Sequence, residues 1–138
     1  MHHKLKLYCD TTQLAELRFF LDNILQKTPL TAIEQHQVML AVEEVCANLI
    51  IHSHSCNPKE FIEVYVKELA DLLIFEILDL GKGFNILEYQ EPNITQVIKT
   101  KRKGGLGIIL VKRIMDKIEF ESQGNQNTCR LFKLLKSK

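Results

Sequence analysis

Leu5, Leu7 and Cys9 alternate with Lys4, Lys6 and Tyr8, a period of two that predicts a short strand with one buried face. Asp10 or Thr11 then stands where a helix cap is wanted, and Leu14, Leu17, Leu21, Ile24 and Leu25 recur at helical spacing. This amphipathic helix should stop at the turn made by Thr28 and Pro29. A second helix follows at once: Thr31 with Glu34 forms a capping box, and Val38, Val42, Val45 and Leu49 supply an apolar stripe up to a loop at 53–58. Residues 61–67 and 72–78 are β-rich runs separated by a natural hairpin at 68–71. Residues 85–103 show no period, carry Pro92 and the basic run Lys101, Arg102, Lys103, and are read as an irregular segment with room for one short helix. Residues 106–115 read as a helix entered from glycines, and 117–122 and 129–135 as strands around a turn at 124–127.

The order is strand, helix, helix, strand, strand, irregular segment, helix, strand, strand. It predicts an α+β, two-layer sandwich with helices on one face of a mixed, mainly antiparallel sheet. Strict βαβ alternation is absent, so a Rossmann reading of the glycines fails on topology. The 138 residues fit a single domain spanning 1–138, large enough to need no staple.

Composition changes this picture little. Hydrophobic residues at 46% and charged residues at 25% are ordinary globular usage, and a net charge of +1 supplies no reason to expect nucleic acid or a membrane surface as the main partner. The first ten residues have no apolar core of signal-peptide length, and the run 72–78 is too short to span a bilayer, so a cytoplasmic protein is expected. Cys9, Cys46, Cys56 and Cys129 form no CxxC pair and read as free thiols. His52, His54 and Cys56 make a poor metal cluster, lacking distant partners.

Three motifs can carry chemistry: 41–48, 79–84 and 104–111. Glu44, Asn48 and His52 are spaced i, i+4, i+8 and so line one helix face beside the apolar stripe. A carboxylate and a carboxamide so placed suit Mg²⁺ on a phosphate or removal of a proton from a nucleophile; a solvated helix face has the same spacing. Asp79 ends an apolar strand, where it can accept a hydrogen bond from an exocyclic amine such as that of adenine, with Gly81 and Gly83 letting the backbone approach a flat ring; a plain strand-ending turn reads the same way. Gly104, Gly105, Leu106 and Gly107 lead into a helix whose unpaired amides and positive dipole end attract phosphate, and a flexible hinge is the alternative. No GxxxxGK[ST] loop and no GxSxG elbow is present.

Taken together, Glu44 with Asn48 and His52, then Asp79, Gly81, Gly83 and Phe84, then Gly104, Gly105, Leu106 and Gly107, resemble the N, G1 and G2 boxes of the GHKL ATPases. Within that superfamily the pattern is most similar to the bacterial anti-sigma factor serine-protein kinases, over essentially the whole chain. The resemblance implies a Bergerat ATP-binding fold with 85–103 as the ATP lid, Glu44 as catalytic base and Asn48 as Mg²⁺ ligand. It also implies Asp79 as the adenine contact, with the glycines and Leu106 around the nucleotide. Glu43 is the poorer candidate base, because only Glu44 stands one helical step from Asn48. Two features depart from the family pattern: the His-Ser-His run at 52–54, and Asn85, Ile86 after the G1 phenylalanine.

The implied function is an ATP- and Mg²⁺-dependent serine/threonine kinase in a partner switch. Its expected substrate is a STAS-type anti-sigma antagonist, with a sigma factor as a further partner and a homodimer as the assembly. A nucleotide-gated binding module with little turnover and a stand-alone histidine-kinase-type catalytic domain are the alternatives. The second is disfavoured because no helix pair bearing a phospho-accepting histidine precedes the site. For the dimer, the edge of the first strand is the candidate surface, with Lys4 and Lys6 as residues that would blunt it.

Overall fold

The computed structural model describes residues 2–53, 57–80 and 105–135, with residues 52, 53 and 105–108 described by backbone course alone. Strand β1 (His2–Tyr8) alternates as expected and begins earlier than its apolar residues require; Leu7 is fully buried. Asp10 is a cap, but of a 3₁₀ turn: its carboxylate accepts from the Thr12 amide at 3.0 Å, and Thr11–Gln13 wind tightly before α1 (Leu14–Leu25) starts. Helix α1 buries Leu17, Leu21, Ile24 and Leu25, and the Thr28 hydroxyl donates to the Leu25 carbonyl at 2.6 Å to satisfy its last turn.

Helix α2 (Ala32–Asn48) opens with the predicted capping box: the Glu34 amide donates to the Thr31 hydroxyl at 3.1 Å, and the Thr31 amide to the Glu34 carboxylate at 3.0 Å. Hydrogen bonds to the Glu34 carboxyl, first from the Thr31 amide and then from the Thr31 hydroxyl, hold it below the usual carboxylate range. Its buried side carries Val38, Ala41, Val42, Val45, Cys46 and Asn48. Beyond Asn48 the chain widens into a π-turn, Leu49–Ser53.

The sheet continues with β2 (Phe61–Leu69) and β3 (Leu72–Leu80), joined through Ala70 and Asp71, with Ala70 in the left-handed region at φ 51°. Helix α3 (Gly105–Ile114) leads to β4 (Lys117–Gln123) and β5 (Gln126–Leu134). Their turn is two residues shorter than the predicted four because Gly124 takes φ 60°, which lets Gln123 and Gln126 pair directly.

The strand order is β1-β2-β3-β5-β4, and the sheet expected to be mainly antiparallel is antiparallel in every pairing among the described strands. The parallel neighbour is avoided because β5 returns from a hairpin with β4 and so runs against β3. One face carries Leu7, Ile62, Val64, Val66, Leu73, Phe75, Ile77 and Leu131 against the helices, all essentially inaccessible. Each large side chain so buried contributes roughly 1.5–3 kcal/mol. The opposite face is laced by charge: Lys4 pairs with Glu63 at 3.1 Å, and Glu76 takes Lys67 at 2.7 Å and Arg130 at 2.8 Å. No described helix is long and apolar enough to cross a membrane.

Candidate functional site

The middle helix, α2, packs against both α1 and α3 and carries Glu44 and Asn48 one turn apart. Glu43, the neighbouring carboxylate, is committed elsewhere: the Arg18 guanidinium on α1 donates to it at 2.6 Å. That hydrogen bond, with the Glu43 charge, raises the Arg18 pKa above its ordinary value. The ion pair turns Glu43 towards α1, whereas Glu44, half-buried, stands 100° further round the helix, on the Asn48 side.

Asn48 is 7% exposed, and its Nδ2 has no hydrogen-bond partner among the described residues. Leaving such a donor without any partner costs about 1–3 kcal/mol, so Nδ2 is a donor for a group outside the described residues. The π-turn begins at the next residue, and with i→i+5 bonding the i+4 periodicity ends there. The predicted continuation of the polar face to His52 therefore does not follow from helical spacing; the His52 side chain lies outside the described residues.

Asp79 stands at the end of β3 with 1% exposure. Its parity with Leu73, Phe75 and Ile77 puts it on the core side of the sheet, so the acid is a buried strand residue and not part of a surface turn. It is the register partner of Asn127 on β5, and the Asn127 amide donates to its Oδ2 at 3.4 Å. Asn127 is 4% exposed and in turn accepts from the Ser122 hydroxyl on β4 at 2.8 Å. Sequence reasoning missed Asn127 and Ser122, taking Asn127 as part of a turn. The signal lay in β parity: counted back from Leu131 and Cys129, residue 127 falls on the buried face, where an asparagine needs partners.

Two buried thiols tie the motifs together. Burial pushes the Cys129 thiol up to about 12, and burial, then the Cys129 thiol and Glu43, push up the Cys46 thiol. Cys46 on α2 and Cys129 on β5 both belong to the buried core, two residues from Asn48 and from Asn127 respectively. Both thiols are held protonated and unreactive at neutral pH.

Gly105 and Gly107 form the first turn of α3, and Lys112 and Arg113 close its last turn, where they complement the helix dipole. The far end is fastened to β5 by the Lys133 ammonium on the Ile114 carbonyl at 3.1 Å. The side chain of Leu106, together with Gly81, Gly83, Gly104 and residues 85–103, expected as a lid, lies outside the described residues. A separate groove of about 630 Å³ lies between β1 and α1, lined by His3, Leu5, Phe19, Phe20 and Ile24. It is apolar and carries none of the three motifs, so it is no part of this site.

The described residues thus include a buried acid at the end of β3, a buried carboxamide whose Nδ2 has no partner among them beside a half-buried carboxylate on α2, and a glycine-led helix α3. The family model of the histidine kinase-like ATPase domain matches residues 8–133, and the chain belongs to that family. Among its relatives is the serine-protein kinase RsbW of Bacillus pumilus, 28% identical over 112 residues, covering 77% of this chain and 69% of the relative. The anti-sigma F factor of Caldanaerobacter subterraneus subsp. tengcongensis is 29% identical over 99 residues, covering 71% and 68%. The crystal structure of the SiaB–SiaC complex from Pseudomonas aeruginosa contains a chain of the same fold, with a TM-score of 0.64 at 13% identity, covering 96% of this chain and 89% of that one.

Proposed function

We propose that this chain is an ATP-dependent serine/threonine protein kinase that phosphorylates a small STAS-type regulatory protein in the cytoplasm and so switches that protein's associations, a sigma factor among them. The observation that carries the reading is Asn48: a buried carboxamide whose Nδ2 has no partner among the described residues, one turn from a half-buried carboxylate. A carboxamide there fits both components of MgATP. Its N–H suits a phosphate oxygen and, turned over, its oxygen suits the hard, oxygen-seeking Mg²⁺. Bound MgATP would supply the phosphoryl group to be transferred and the charge neutralisation that transfer needs.

In this reading Asp79 accepts from the adenine amine. Gly81, Gly83, Gly104, Gly105, Leu106 and Gly107 let the backbone close round the nucleotide, and 85–103 cover it. Glu44 takes the proton from the partner's hydroxyl as it attacks. The commitment of Glu43 to Arg18 supports Glu44 as the base. The names of the relatives, serine-protein kinase and anti-sigma factor, support the substrate class. We further propose that two copies pair through the edge strand β1 and the apolar groove beside it.

The test is phosphotransfer from γ-labelled ATP to STAS-domain proteins of the same genome. Wild type should label one of them, and Glu44→Gln should retain nucleotide binding while losing about 10²–10⁴-fold in rate, the usual contribution of a general base. Unchanged transfer by Glu44→Gln removes Glu44 from the mechanism. Nucleotide binding with transfer to none of them leaves a nucleotide-gated binding module.

A further inference from the structure

We propose that Asn127, with its amide orientation set by Ser122, is the positioning residue for the Asp79 carboxylate and thereby selects a purine bearing an exocyclic amine. The inference rests on Asp79 being the base contact and goes beyond it by naming what makes that contact selective.

The three side chains stand on three adjacent strands. Asp79 faces Asn127 across β3 and β5, and Asn127 faces Ser122 across β5 and β4. Asp79 and Asn127 are both removed from solvent, at 1% and 4% exposure, so each needs hydrogen-bond partners supplied by the protein or a ligand. A primary amide has a donor end and an acceptor end, and its function depends on which faces the acid. The Ser122 hydroxyl donates to the Asn127 carbonyl at 2.8 Å, which occupies the acceptor end. The donor end is thereby directed to Asp79 Oδ2, 3.4 Å away. The opposite orientation would press an amide oxygen against a carboxylate oxygen.

A donor fixed on Oδ2 holds the carboxylate in one orientation, with its remaining acceptor capacity directed away from Asn127. An acid held as an acceptor pairs with the 6-amino group of adenine and meets a second acceptor in the 6-carbonyl of hypoxanthine. A site built to accept from an amine rejects an analogue that lacks it, because the buried group is left unpaired. Without Asn127 the carboxylate is freer to turn away from the amine, and the contact that distinguishes the two bases weakens. Selectivity between the two bases should therefore fall when the amide is lost.

The experiment is calorimetric titration of ADP and of inosine diphosphate into wild type, Asn127→Leu, Ser122→Ala and Ser122→Thr, with nucleotide-free melts to establish that each is folded. Wild type should prefer ADP. Asn127→Leu should weaken ADP about tenfold, as the loss of one hydrogen bond to a charged group does, while changing inosine diphosphate little. Ser122→Ala should contract the ratio in the same direction by less, and Ser122→Thr, which keeps the hydroxyl, should hold it near wild type. An unchanged ratio in Asn127→Leu, or an equal loss for both nucleotides, overturns the inference and leaves Asp79 as the base contact. Wild-type protein that binds no ADP overturns the base contact itself and this inference with it. If Asn127→Leu does not fold, Ser122→Ala decides: an unchanged ratio there overturns the role of the relay.

Discussion

Asp79→Asn is the sharpest single test of the candidate site, because it preserves shape while replacing a buried anionic acceptor by a neutral amide. Asparagine at 79 cannot accept equally from Asn127 and from a base, and the charge that strengthens the base contact is gone. A hydrogen bond to a charged group contributes about 1.5–3 kcal/mol, so nucleotide affinity should fall by about twentyfold. Wild type at a nucleotide concentration of about 100 times Kd gains about 2.7 kcal/mol of stability by mass action. The variant at the same concentration should gain only about 1 kcal/mol. With an unfolding entropy of about 2.1 cal/mol/K per residue over 138 residues, these gains become melting shifts of about 9 K and about 4 K. The assay is a thermal melt of each protein with and without MgADP, each compared with its own nucleotide-free curve. Equal shifts in the two proteins would remove Asp79 from the site, and a wild-type curve that ignores millimolar MgADP would refute nucleotide binding altogether.

Three further outcomes are expected. Partial burial works to raise the Glu76 carboxyl, but Lys67 and Arg130 outweigh it and hold the group below its ordinary range. Its contribution is present above the unfolded value of about 4.3 and is lost as pH falls through the lower folded value. Urea midpoints from pH 7 down to pH 3 should therefore fall more steeply for wild type than for Glu76→Gln, and parallel curves would show that the pairs carry no linkage. Ala70→Gly should stabilise by about 0.5 kcal/mol, since relief of the left-handed strain at φ 51° exceeds the added chain entropy of glycine; a lower urea midpoint would contradict this. For the proposed dimer, Leu7 is a poor probe because it is fully buried, so its loss would unfold the sheet. Phe19, 72% exposed beside the β1 groove, is the better one: Phe19→Asp should shift light-scattering mass from dimer to monomer across a concentration series, and monomer mass in wild type throughout refutes the pairing.

Much of the architecture was legible because it is written in local periodicity. The Thr31–Glu34 box, the stripes of α1 and α2 and the alternation of β2 and β3 all reflect which face is buried, and side-chain type records that directly. The candidates Glu44, Asn48 and Asp79 were read from a polar helix face beside an apolar stripe and from an acid ending an apolar strand, their roles from the family resemblance. What escaped has no local signature. The 3₁₀ turn ahead of α1 and the π-turn after Asn48 differ from α-helix only in hydrogen-bond stride, which packing decides. The Arg18–Glu43 pair spans 25 residues and the Asn127–Asp79 contact 48, so neither exists until the helices and strands have docked.

The strand order has a consequence for synthesis. β3 is a central strand whose second neighbour, β5, is separated from it by α3 and β4, so a chain growing from its amino terminus completes β1, β2 and β3 long before β5 emerges. During that interval β3 offers an unpaired ladder flanked by Leu73, Phe75 and Ile77, a template for non-native pairing. β4 cannot cover it, because β4 joins the sheet only through β5. A ribosome stalled after β3 has emerged and before β5 has done so therefore carries a half-sheet with a sticky central edge and an Asp79 lacking its register partner. Such nascent chains should depend on holding chaperones until the last strand is released.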